Sequence, residues 1–253
     1  MDLLDYPLLV FVLSLLTLWL SEMIAASFFR RQRKLEEQSE DFGVILAAAL
    51  TLLALIIGFT FSMAVNRYDQ RKNYEEAEAN AIGTEYVRAD LLPAADAARV
   101  RTLLRKYLDQ RVLFYTIRDK QQLAQIDATT AQLQAELWSA VKNPAAAQPT
   151  FIVGLVVSGM NDVLNSQGYT QAAWWNRIPT AAWSLMVAIA ICCNLFVGYG
   201  ARDAKAQPLL HLALPLLVSV SFSLIADIDS PRNGFIRVHP QNIISLSESL
   251  HAH

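Results

Sequence analysis

Four apolar runs, each long enough to cross a bilayer as a helix, decide what this chain can fold into. A helix that spans the hydrocarbon core needs about 20 residues, and the runs cover Pro7–Phe29, Gly43–Val65, Ile178–Gly200 and Pro208–Ala226. Composition agrees, since 54% of the residues are hydrophobic and 17% are charged, which is too apolar for a soluble domain. The first run follows the acidic segment MDLLDYP rather than a basic leader, so we expect it to be retained as a span.

The region between the second and third runs is polar and has helical periodicity. Val100, Leu104, Leu108 and Val112, for example, repeat along one helix face. The sequence therefore predicts an all-α integral membrane protein with four transmembrane helices and a helical extramembrane domain inserted between spans two and three. The expected boundaries are 1–65 for the first two spans, 66–177 for the domain, 178–226 for the last two spans and 227–253 for a C-terminal tail. We expect KNPAAAQP, residues 142–149, to be a linker within the domain.

Charges in the short loops bear on orientation. The first short loop contains RRQRK at residues 30–34 and the second contains ARDAK at residues 201–205. Short loops rich in Lys and Arg remain in the cytoplasm, which would place the helical domain on the extracytoplasmic side. Basic residues on the opposite side make the raw count level, so the orientation stays open.

A polar seam runs along the helix that contains the second span. Steps of three and four residues from Phe59 give a seven-residue repeat without a cation, comprising Ser62, Asn66, Asp69, Asn73, Glu76 and Asn80. A coiled coil would have apolar residues at these positions. The seam fits either the water-filled axis of a symmetric oligomer or an ordinary solvated helix face. In an oligomer, Asp69 and Glu76 would form carboxylate rings, which attract cations.

Other classes of function find little support. The formal net charge of -2 gives no basic surface for nucleic acid. No nucleophile elbow, phosphate loop or zinc spacing occurs in the sequence, so we expect neither an enzyme nor a cofactor. VGYG at residues 197–200 matches a potassium-filter tetrad, but it ends a full span and is expected to be a helix end. Glu22 is the single carboxylate within a predicted span, and it is either functional or directed toward Arg30 at the membrane surface.

Short motifs carry a resemblance to a known family. Gly58 and Phe59 are followed, eight residues after the Phe, by Arg67 and Tyr68. The segment after the last run carries two further elements, Asp229 with Pro231 and Val238 with Pro240. In these motifs and in its layout, nearly the whole chain resembles the bacterial bestrophin-like membrane proteins and, more distantly, the bestrophin ion channels.

The resemblance implies a homo-oligomeric ion channel, pentameric in bestrophins, in a bacterial inner membrane. Its partners would be the lipid bilayer, further copies of the chain and permeant small ions. Thr51, Leu55 and Phe59 would form a hydrophobic neck, with Phe59 as the constriction. Together with the carboxylate rings, this predicts a channel with a weak cation preference.

Two departures from the family pattern matter. Asp227 and Asp229 are the only acidic residues where bestrophins have a calcium clasp, and calcium needs six to eight oxygen ligands, so they are weak metal candidates. Bestrophins also have the helical insert in the cytosol, against the loop charges. The alternative function is a membrane-anchored scaffold or sensor that binds a partner through its extramembrane domain.

Overall fold

The computed structural model describes residues 3–29, 40–200 and 208–252, and these residues contain helices but no β-strand. The α-helices are α1 (Pro7–Phe29), α2 (Glu40–Arg88), α3 (Ala94–Thr116), α4 (Lys120–Ala147), α5 (Phe151–Trp175), α6 (Thr180–Gly200), α7 (Pro208–Asp229) and α8 (Gln241–His251). Four segments are long and apolar enough to cross a membrane: Pro7–Phe28, Asp41–Leu91, Phe151–Gly200 and His211–Asp229. The predicted fold is confirmed, and the chain is an all-α integral membrane protein with four transmembrane helices and an inserted helical domain. The basic segments at residues 30–34 and 201–205 lie outside the described residues.

Proline has opposite consequences at the ends of α2 and α4. After α2, a 3-10 turn at Ala89–Leu91 leads into the extended Leu92 and then Pro93, because a residue before proline avoids the helical region. The predicted linker at residues 142–149 is wrong, since α4 continues through Pro144 to Ala147. Pro144 is buried in the last turn of a helix that ends in three alanines, and alanine has the highest helix propensity.

The described chain divides into two compact units, and α2 contributes to both. The first unit comprises the residues up to Arg67 together with Arg177–Arg237. Within it, α1 packs against α6 and α7 and buries Leu18 and Ala25. Trp183 of α6 meets Phe222 of α7 edge to face, with 6.1 Å between ring centroids. Apolar side chains thus hold three membrane-length helices together.

The second unit comprises Tyr68–Asn176 and the residues from Val238 onward. Here α4 packs against α3 and α5, and α8 packs against α3. Val100, Leu104 and Leu108 are buried, and Val112 packs against the same core, which confirms the predicted helix face. Phe114 and Tyr115 close around Trp174, with ring centroids 5.0 and 5.5 Å from it. The core of this unit is therefore apolar and aromatic, with charged groups only where α2 enters it.

Candidate pore-lining site

The structure places all the predicted neck and seam residues on α2 with their side chains exposed. In the neck, Leu55 is 52% and Phe59 is 63% exposed. Thr51 is exposed as well, and so are the seam residues Ser62, Asn66, Asp69, Asn73, Glu76 and Asn80. No other part of the described chain covers this face.

The opposite face of α2 is the one that packs. Leu53, Thr60 and Ala64 are buried in the first unit. In the second unit, buried residues stand two positions away from seam residues, for example Arg71 between Asp69 and Asn73. Two residues correspond to a rotation of about 200° around a helix. The seam therefore lies opposite the packed face, as a surface left for solvent or for another molecule.

The apolar membrane-length stretch of α2 is also the least buried of the four such stretches. Only 6% of it is buried, compared with 28%, 33% and 44% of the stretches in the other three candidate spans. Scattered apolar residues on a surface are ordinary, but a continuous apolar face requires lipid or a protein partner. For α2, that cover has to come from outside the part of the chain that the structure describes.

The packed face of α2 in the second unit is unexpectedly charged. Arg71, Glu75, Glu78 and Glu85 are each at most 1% exposed. Arg71 donates through Nε to the carbonyl of Ala173 at 3.2 Å. Buried charges are costly unless they are paired or hydrogen-bonded, so each of these groups needs a specific partner.

Glu78 has the fullest set of partners. It forms a buried ion pair with Arg111 of α3 and accepts hydrogen bonds from the Tyr115 hydroxyl at 3.3 Å and the Thr170 hydroxyl at 2.9 Å. Burial alone would lower the pKa of Arg111, but the Glu78 carboxylate keeps that pKa above its ordinary value. The Arg111 guanidinium also lies 4.3 Å from the Phe114 ring centroid. This cluster ties α2 to α3 and α5.

Glu85 contrasts with Glu78. Its side chain is fully buried, and neither carboxylate oxygen has a hydrogen-bond partner in the described chain. Burial raises the pKa of Glu85 to about 8, with Arg88 acting against the shift and Asp162 adding to it. A Cβ at Gly159 of α5 would overlap this carboxylate. Burial therefore favours the neutral acid form of Glu85, and its carboxyl group fits because position 159 has no side chain.

Sequence reasoning missed these buried charges. Tyr68, Ala79, Ile82 and Tyr86 are the residues of this segment whose apolar character suggests packing, and Ala79 and Ile82 are indeed buried. The available signal was spacing, because Arg71, Glu75, Glu78, Ile82 and Glu85 repeat every three or four residues. Residues at this spacing share one helix face, so the stripe runs parallel to the seam.

The weak metal candidates are engaged by N–H donors. Asp227 accepts the backbone N–H groups of Phe235 and Ile236 at 2.6 and 2.8 Å. Asp229 accepts Arg177 Nε at 3.1 Å and the Ile178 N–H. In the described residues no group of three or more His, Cys, Asp or Glu side chains is arranged to hold a metal ion. A calcium ion at either aspartate would have to displace these donors.

Comparisons with known proteins place the chain in a family. The model of the bestrophin-like domain matches residues 8–243. None of the curated proteins compared with the chain matches it. Among solved structures, a bacterial bestrophin homologue from Klebsiella pneumoniae is 15% identical, with a TM-score of 0.68 and coverage of 95% of this chain and 97% of that one. A single-residue variant of that homologue gives a TM-score of 0.70 at 13% identity, with 96% of each chain covered.

A further crystal structure, of a membrane protein carrying one substitution, has a TM-score of 0.66 at 15% identity and covers 95% of this chain and 97% of that one. At such identities the structures establish a shared fold, and the family model extends over nearly the whole sequence. The chain belongs to the bestrophin-like family.

Proposed function

We propose that the chain is a homo-oligomeric ion channel in which the exposed seam of α2 surrounds the ion path. The observation that carries this proposal is the position of the seam. It is polar, has no cation and lies opposite the packed face of α2 in a membrane protein of the bestrophin-like family. A solvated face alone would not account for its continuation into the apolar Phe59 and Leu55 of a membrane span. Copies of the chain around an axis would account for both.

Residues 1–65 and 178–226 form the membrane part, residues 66–177 form the extramembrane domain and residues 227–253 form the tail. We assign the channel to the inner membrane of a bacterium, with the domain on the extracytoplasmic side as the short-loop charges favour. Pentameric assembly follows from the bestrophin resemblance. The mechanism is conduction rather than catalysis, and it uses no cofactor.

Selectivity follows from the charges of the seam. Asp69 and Glu76 repeat once per subunit and form two stacked rings of carboxylates, which concentrate cations along the axis. In water, two unit charges about 4 Å apart interact by only about 1 kcal/mol, so the preference is weak unless the path is narrow. Thr51, Leu55 and Phe59 form the neck, and the exposed Phe59 ring is the constriction where an apolar ring can close the path by dewetting.

Reversal potentials under a salt gradient, measured with protein reconstituted in bilayers, test this mechanism. The double variant Asp69→Asn, Glu76→Gln removes both rings, and we expect the cation preference to fall toward none. The matched control, Asp127→Asn with Glu136→Gln, removes the same charge from α4 and should leave the reversal potential unchanged. If the seam variant keeps the wild-type selectivity, the carboxylate rings do not act on the permeant ion.

A scaffold or sensor is the second candidate, and an exposed apolar patch favours it. Phe151, Ile152 and Leu155 lie within the first five residues of α5 and are 84%, 54% and 39% exposed. Patches of this kind mark protein interaction sites. Absence of current from the wild type and from every variant would favour this function over the channel.

A further inference from the structure

Two ionisable side chains meet inside the membrane-spanning segments. Glu22 lies in the third quarter of α1, and His211 lies in the first turn of α7. Only 2.5 Å separates His211 Nδ1 from Glu22 Oε1. The Glu22 side chain is 3% exposed and the His211 side chain is 18% exposed. Ionisable groups are rare at such positions because an apolar surrounding penalises charge, and those that occur are paired.

A third helix encloses the pair. A Cβ at Gly198 of α6 would overlap the backbone oxygen of Glu22 and press on Ala25. The absence of a side chain at this position therefore lets α6 come up against α1 where Glu22 projects. Glu22 Oε2 is buried and has no hydrogen-bond partner in the described chain. His211 is consequently the only described group that offsets the charge of Glu22.

Within the described side chains, the surrounding helices supply no other strong charge to the pair. The described residues of α1 contain no further ionisable side chain, and the other described titratable groups at this end are Cys192, Cys193 and Tyr199 of α6 and the exposed Asp41 of α2. Asp227 and Asp229 stand at the opposite end of α7. The charge of the site therefore depends on the protons it holds: without a proton the pair is -1, with one it is neutral, and with two it is +1.

We propose that Glu22 and His211 form an intramembrane proton-binding site that retains one shared proton and thereby locks α1 to α7 in a charge-neutral contact. The neutral state is the one an apolar helix bundle tolerates. Each partner protects the other, because His211 neutralises an ionised Glu22 and Glu22 neutralises a protonated His211. The lock accordingly keeps α1 packed on α7 without leaving an unpaired charge on either side chain.

The experiment measures the distance between spin labels on α1 and α7 as the pH changes. Labels at Ile24 and Leu209, which are 61% and 83% exposed, report the contact in full-length protein in lipid bilayers. Cys192 and Cys193 are replaced beforehand, and labelled chains are diluted with unlabelled ones so that distances within one chain dominate. Spectra are recorded between pH 5 and pH 9, and the same samples are compared after Glu22→Gln, His211→Gln and the double substitution.

In the otherwise wild-type protein, the distance distribution should be the same from pH 5 to pH 8. Glu22→Gln leaves His211 without its anion, so the distribution should broaden or lengthen as the pH falls. His211→Gln leaves Glu22 without its cation, so the change should appear as the pH rises. The double variant should lose both dependences. A wild-type distance that shifts between pH 5 and pH 8 would overturn the proposal, and this measurement decides it even if a single variant fails to fold.

Discussion

Glu85 is the residue at which burial and charge conflict most sharply. Burial raises its pKa from 4.5 to about 8, and a pKa that differs by one between two states corresponds to about 1.4 kcal/mol of free energy. The folded protein holds this proton more tightly than the unfolded chain does. The stability associated with the neutral acid is therefore fully present below about pH 4.5 and is lost as the pH rises toward about 8.

Replacing Glu85 with Gln keeps the shape of the side chain and removes the titration. We expect the apparent melting temperature of the wild-type protein in detergent to fall between pH 5 and pH 9 by more than that of the variant, with the difference largest at the alkaline end. Glu76→Gln, which neutralises an exposed carboxylate of the same helix, is the control and should follow the wild type. Parallel curves for Glu85→Gln and the wild type would mean that Glu85 stays ionised in the folded state.

At the scale of elements, α8 is held at its start by a carboxylate from α2. Glu75 accepts the Ile243 N–H at 2.9 Å and the Asn242 amide at 2.7 Å. A carboxylate at a helix N-terminus satisfies free N–H groups and is favoured by the helix dipole. A Cβ on Gly83 would lie 3.2 Å from the Leu246 side chain, so α8 also packs closely on α2. Glu75 and Gly83 together fix the position of α8.

Glu75→Ala should release the start of α8. A hydrogen bond to a charged group contributes about 1.5–3 kcal/mol, so loss of the Ile243 bond alone should speed up amide hydrogen exchange in α8 by about one to two orders of magnitude while α3 and α4 keep their protection. Glu76→Ala changes the neighbouring, exposed residue and should leave exchange unaltered. Unchanged exchange in α8 after Glu75→Ala would show that α8 depends on its apolar contacts alone.

The helices show which parts of the fold the sequence predicts and which it does not. Long apolar runs predict α1, α6, α7 and the membrane part of α2 closely, because spanning length is a local property. The buried stripe with Glu78 could not be predicted this way, since its partner Arg111 lies 33 residues away on α3 and local periodicity identifies apolar faces. Pro144 misled because proline within a helix removes an N–H donor and usually kinks or ends the helix, yet α4 continues beyond it for three alanines.

At the scale of the whole molecule, the described chain leaves one membrane-length helix nearly uncovered. The apolar stretches of the other three candidate spans are 28–44% buried, whereas the apolar stretch of α2 is 6% buried. A helix that a single chain leaves so exposed has its remaining contacts with lipid or with further copies of the chain. Water can cover the polar seam where it extends beyond the span, whereas the exposed apolar residues of the span itself need lipid or another protein surface. The central claim is therefore that the seams of several copies face one shared axis.

Cross-linking between subunits tests this claim most directly. Single cysteines at Asn66 and Asn73 on the seam, and at Tyr68 and Tyr86 away from it, are introduced after Cys192 and Cys193 have been replaced. The proteins are treated in membranes with a short bifunctional thiol reagent. Because each subunit then carries one thiol, a link joins two subunits, and we expect covalent dimers for Asn66→Cys and Asn73→Cys. Dimers from Tyr68→Cys or Tyr86→Cys, with none from the seam positions, would contradict a shared axis lined by the seams.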